Sequence, residues 1–218
     1  MKSLVGMKSM QYLGLVLSVF VASAFLVDAA GAKPTSSTKY KFYTISGDTP
    51  AAIYGAMIKR GPDVNGVNAY ASTLATTSQS GRLLEGKDCK VQDYSFNINF
   101  VINLPKLRNE AALTGQTSAK WTQFKSLLKT HEETHRTIWM GCAQALEQKM
   151  ATLRTKDCKS MDKLAAKMWQ GARGACDAKH RAWDKAEQKR LLAHPFVQLV
   201  LGNQLRTQVA LKAITKKK

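Results

Sequence analysis

His131-Glu132-Glu133-Thr134-His135 reads H-E-x-x-H, and these residue types at this spacing can hold a metal ion and put it to use. On a helix, positions i and i+4 share one face, so the two imidazoles stand close enough to bind one zinc ion. Glu132, next to the first histidine, is then placed as general base toward water activated by the metal. Trp121, Phe124, Leu128, His131, His135, Ile138, Cys142 and Ala145 step by 3, 4, 3, 4, 3, 4 and 3, the buried stripe of an amphipathic helix. Both histidines therefore face inward, and Glu133 is expected at the surface. Neither Ser nor Cys is arranged as a nucleophile with these histidines.

A catalytic zinc takes three protein ligands and leaves one position open. A metzincin continuation would need Gly at 138 and His at 141, but Ile138 and Gly141 stand there. Of the remaining histidines, His180 shares a second helical stripe with Trp169, Ala172, Cys176 and Trp183, whereas His194 next to Pro195 has no stripe partner. In an antiparallel hairpin turning near Thr155-Lys156, His180 comes opposite His131, which makes it the expected third ligand. Asp177 and Asp184 lie at i−3 and i+4 of His180, placed to orient its ring. Asp177 is the leading rival ligand, with Glu147, Asp157 and Asp162 behind it.

Elements that would position this group can be read along the chain. Lys33 to Lys39 is polar and reads as a linker, and Tyr40 to Ile45 as a first strand. Thr49 caps a helix with Pro50 at its first position, running to about Lys59 and stopping at Gly61-Pro62. Asn68 to Ser78 reads as a second strand ended by Ser80-Gly81. Tyr94, Phe96, Ile98, Phe100 and Ile102 alternate with mostly polar residues, giving the strongest strand, which Pro105 terminates. Tyr94 to Ile102 is also the candidate edge strand for aligning a peptide. From about Thr117 the chain is helical: the motif helix to Leu153, a break at Thr155-Lys156-Asp157, then a second long helix capped by Ser160. A last basic helix follows over Val197 to Ile214. Strands first and helices afterwards make an α+β domain.

The first residues resemble a secretory signal: Lys2 and Lys8, an apolar run from Leu13 to Val27, and Ala30-Gly31-Ala32 before a cut after Ala32. Export allows disulfides, and the four cysteines contain no C-x-x-C pair of the zinc-binding kind. The hairpin register favours Cys142–Cys176, leaving Cys158 at the turn to reach Cys89. The formal net charge of +18 favours anionic surfaces such as envelope lipid or cell-wall polymer. The basic residues are dispersed, without aromatic interleaving, and carry no nucleic-acid motif.

Tyr43-Thr44-Ile45-Ser46-Gly47, Gly61-Pro62, Cys89 ahead of the alternating strand, Leu104-Pro105, Trp121 and then His131 to His135 come in an order that resembles the DUF922 family, described as predicted secreted zinc-dependent proteases. The likeness covers roughly Tyr40 to Arg190. It implies export and a zincin-like site, with Asp177 and His180 filling the role of a later aspartate followed by a histidine.

The resulting expectation is an exported α+β metallohydrolase, most simply a peptidase. One Zn2+ per chain is held by His131, His135 and His180, Glu132 is the general base, and the substrate is a peptide or protein. Residues 1–32 are the signal peptide, 33–39 the linker, 40–192 the metallohydrolase domain, and 193–218 a basic helix and tail. After signal cleavage the chain is not an integral membrane protein, and it resides in the periplasm or outside the cell. The alternative is a non-catalytic zinc-containing envelope protein that binds anionic wall or membrane material.

Overall fold

The computed structural model describes residues 33–202. The signal-like segment, its cut after Ala32 and the end of the basic tail lie outside the described residues. The described chain is a mixed α+β structure: strand β1 (Thr35–Ile45), helix α1 (Pro50–Arg60), a short hairpin of β2 (Asp63–Val64) and β3 (Val67–Asn68), and strands β4 (Ser72–Leu84) and β5 (Cys89–Leu107). Helix α2 (Gly115–Thr152), a two-residue strand β6 (Arg154–Thr155) and helix α3 (Cys158–Ala193) complete it.

Alternation in β5 works as the sequence indicates. Phe96, Ile98, Phe100 and Ile102 are buried and point at the helices, while Asn97 and Asn99 are exposed on the far face. The strand order, however, is β1-β5-β4, so β5 is central, parallel to β1 and antiparallel to β4. This overturns the expectation that Tyr94 to Ile102 is an edge strand, because Asn97 to Ile102 is paired on both sides, by β1 and by β4. In this sheet β1 and β4 flank β5 as its long outer strands.

Three further differences have local causes. The expected linker is largely strand, because Thr35 to Lys39 pairs with Asn97 to Val101. The outer face of β5 offers matching polar partners there: Ser37 Oγ donates to Asn99 Oδ1 at 2.6 Å, and Asn97 Nδ2 to Thr35 Oγ1 at 3.0 Å. Ser80-Gly81 does not end β4; the register shifts between Ser80 and Arg82 as a bulge, and pairing continues to Leu84. Pro105 does not end β5 either. It lies beyond Asn103, the last residue that β4 pairs, where a missing N–H is tolerated while β1 continues to Ile45 opposite Leu107.

The β2–β3 hairpin carries a signal the sequence reading passed over. Asn65 and Gly66 both have positive φ, 57° and 83°, and Asn-Gly between two valines is the preferred two-residue turn.

Helix α1 starts as its sequence dictates. Thr49 Oγ1 accepts from the Ala52 N–H at 3.3 Å, and Ile53 and Met57 fill the core beneath it. In α2 the N-terminal half of the stripe is buried: Trp121, Phe124, Leu128 and His131. Its C-terminal half buries Ala143, Leu146 and Met150 in place of Ile138, Cys142 and Ala145. A 3-4-3-4 stripe repeats every 3.5 residues and drifts around a helix of 3.6 per turn, so the buried face moves on. Helix α3 is capped by Asp157, not Ser160: the Asp157 carboxylate accepts from the Ser160 N–H at 2.7 Å. The helical stretch 195–202 brings Phe196 against Trp121 and Phe124, with ring centroids 5.4 and 5.3 Å away.

Two disulfides join these pieces with the expected pairing. Cys89–Cys158 ties the start of β5 to the start of α3, and Cys142–Cys176 ties α2 to α3. Among the described residues, no helix is long and apolar enough to cross a membrane.

Candidate metal centre

One turn of α2 carries His131, Glu132 and His135, and α3 packs alongside it to bring up Asp184 and His180. His131 Nε2 and His135 Nε2 are 3.2 Å apart. Asp184 Oδ1 stands 3.3 Å from the first and 3.0 Å from the second. These three atoms form a group able to hold a metal ion. The spacing provides a test of fit. Donors 2.0–2.1 Å from a tetrahedral zinc are separated by about 3.3 Å along each tetrahedron edge, and the three observed separations agree.

Protonation also agrees. Burial, the largest effect on each ring, pushes His131 down and His135 down to about 4, against the opposing pull of the Asp184 charge. Near neutral pH both rings are then neutral imidazoles with a lone pair to give. Trp183 stacks on His131 at 5.7 Å between centroids and holds its plane. The Asp184 side chain is 54% exposed, so the group opens onto solvent on that side. It lies in a cleft of about 630 Å³ whose walls include Ser72, Thr73, Trp139, Asp177 and Arg181.

Glu132 is buried at the edge of this group. Its Oε2 is 2.8 Å from Thr73 Oγ1 on β4, which also lies 3.0 Å from the Glu132 carbonyl oxygen. Burial raises the carboxyl to about 7; the Thr73 hydrogen bond opposes this and the Asp184 charge adds to it. A carboxyl with such a proton affinity can both take and return a proton near neutral pH. Nothing in the sequence marks Thr73, one of several threonines in its strand. Only the pairing of β4 with β5 brings it over α2.

His180 is not where the hairpin estimate puts it. Its Nδ1 lies 2.8 Å from Nδ1 of His135, on the side of that ring away from Asp184. Asp184, expected to orient His180, instead stands with the ring nitrogens of His131 and His135. The register lies about one helical turn beyond the estimate because residues 153–157 are not a tight helical turn. They form β6, paired to Cys89 and Lys90, and the Asp157 cap. Asp177 lines the cleft without a hydrogen bond or ion pair to a histidine among the described residues.

The other acidic candidates have separate work. Glu147 accepts from the Phe96 N–H at 2.7 Å, Asp157 caps α3, and Asp162 is exposed. Glu133 accepts from the Tyr40 hydroxyl at 2.6 Å and pairs with Lys129 at the surface. His194 packs its ring on Phe124 at 5.1 Å and accepts from the Phe196 N–H at 3.1 Å, a structural role the sequence did not suggest.

No curated protein and no solved structure matches the chain. A family model does, over residues 40–191, and its description is a bacterial protein of unknown function. That span takes in every strand except the start of β1, both long helices nearly whole, and all the residues of the candidate metal centre. The chain belongs to the DUF922 family.

Proposed function

We propose that this protein is an exported zinc-dependent hydrolase of peptide bonds, with His131, His135 and Asp184 as the metal ligands and Glu132 as general base. The observation that carries the reading is the set of three donor atoms 3.0–3.3 Å apart beside a buried carboxyl with raised proton affinity. Two imidazoles and one carboxylate are a donor set suited to zinc, and three protein donors leave a coordination position open. A structural zinc would instead close with four protein ligands, and three converge among the described residues. When bound, the metal supplies Lewis acidity, which acidifies water and polarises a carbonyl oxygen.

The chain's own residues do the rest. Glu132 takes the proton from the attacking water and returns it to the leaving amine nitrogen, which its raised proton affinity suits. Thr73 holds the carboxylate by donating to Oε2 and fixes it against α2. Strand β4 is an edge whose Ser72 and Thr73 line the cleft, so it, and not β5, can align an extended peptide by backbone pairing.

Hydrolysis of an unfolded protein substrate, abolished by a chelator and restored by zinc, tests this reading; hydrolysis indifferent to chelation would end it. Thr73→Val keeps the shape of the side chain and removes the donor. Losing a hydrogen bond to a charged group of about 1.5 kcal/mol should lower kcat about 10-fold, with Thr73→Ser close to wild type. Steady-state kinetics on the three proteins would show it, and equal kcat in Thr73→Val would remove Thr73 from the mechanism.

Export is supported by the two disulfides, which persist in oxidising compartments. N-terminal sequencing of protein recovered from the envelope or medium should begin at Lys33. An intact Met1 in that fraction would refute cleavage after Ala32.

A further inference from the structure

Nδ1 of His135 and Nδ1 of His180 are 2.8 Å apart, a hydrogen-bond separation, so one of the two nitrogens carries the proton. The other nitrogen of His135, Nε2, is the one that meets His131 Nε2 and Asp184 Oδ1. If Nε2 is to offer a lone pair to a metal, the His135 proton must sit on Nδ1, and His180 Nδ1 must accept it. A neutral His180 then carries its own proton on Nε2. That atom lies 3.8 Å from Sγ of Cys176, a weak acceptor held in the Cys142–Cys176 disulfide. The three groups thus share one consistent direction of donation. Trp139 packs on the His180 ring at 5.3 Å between centroids and restricts its rotation.

We propose that His180 is a positioning residue for the metal ligand His135, fixing its tautomer and ring plane while the disulfide sulfur fixes the tautomer of His180. The proposal rests on the reading of His131, His135 and Asp184 as ligands. Metal-binding histidines usually donate their second N–H to a carboxylate, a carbonyl or water. Here the acceptor is a neutral imidazole, which orients the ligand without adding charge to the site. Since α2 and α3 are bridged at Cys142–Cys176, one turn of α3 from His180, the same bond that joins the helices also keeps the accepting ring in place.

Cobalt(II) in place of zinc tests this, because its visible absorption reports the number and type of ligands independently of activity. The protein is the disulfide-bonded chain, compared with His180→Ala, His180→Asn and Asp184→Ala. In His180→Ala the cobalt bands should keep the wild-type positions and intensities while affinity falls by about 10–100-fold. His180→Asn places a carboxamide oxygen near the Nδ1 position and should recover most of the lost affinity. Asp184→Ala should change the bands themselves. The proposal is overturned if His180→Ala changes the cobalt spectrum as a lost ligand does, if its affinity equals wild type, or if His180→Asn binds no better than His180→Ala. A wild-type chain that takes up no cobalt and no zinc overturns the metal site and this proposal with it, which separates that failure from the others.

Discussion

Glu132→Gln should bind zinc as the wild type does and hydrolyse peptides about 10²–10⁴-fold more slowly, the range a positioned general base contributes. The substitution alters one oxygen and leaves the volume unchanged. Its amide oxygen can still accept from Thr73, so the 2.8 Å contact between β4 and α2 persists and the fold has no reason to change. Glu132 is a neighbour of the donor group and not a member of it, so metal content should stay at about one per chain. Metal analysis, circular dichroism and kcat on the same preparation would check all three points. Turnover equal to wild type would remove Glu132 from the chemistry, and loss of zinc together with turnover would make it a ligand.

The double change His131→Ala with His135→Ala should abolish zinc binding, since it removes two of the three donors. Asp184→Ala alone should weaken binding by more than about 100-fold, beyond the range expected for a residue that only orients a ligand. The fold should survive both. The main core around Trp121, Phe124, Ile102 and Phe196 and the two disulfides do not involve the donor atoms. Isothermal titration with zinc, alongside urea unfolding, would measure the two effects separately. If Asp184→Ala binds zinc as tightly as wild type, the third ligand lies elsewhere, and Asp177 in the same cleft would be the next residue to test.

What the sequence determined by itself is local. Residues four apart on a helix share a face whatever the rest of the chain does, so His131 and His135 come together and Glu132 stands beside them. Alternation in β5, the Thr49 cap and Pro50 at the start of α1 are set by neighbours within a few positions, and they are found as read. The disulfide pairing was also legible, because a hairpin of two long helices tolerates an error of a few residues.

Which side chain of α3 stands level with the two imidazoles was not legible. Moving one helix past another by a single turn, about 5.4 Å, exchanges His180 for Asp184 as the residue level with the donors, and only the packed register decides between them. That register is set by β6 on β5 and the Cys142–Cys176 bridge, both contacts between distant segments, together with the local Asp157 cap that starts α3. Which strand is the edge, and which side chain holds Glu132, were likewise decided by pairing. A strand's own residues specify its two faces, whereas its neighbours come from elsewhere in the chain. The parallel pairing of β1 made β5 central, and the antiparallel pairing of β4 carried Thr73 to Glu132.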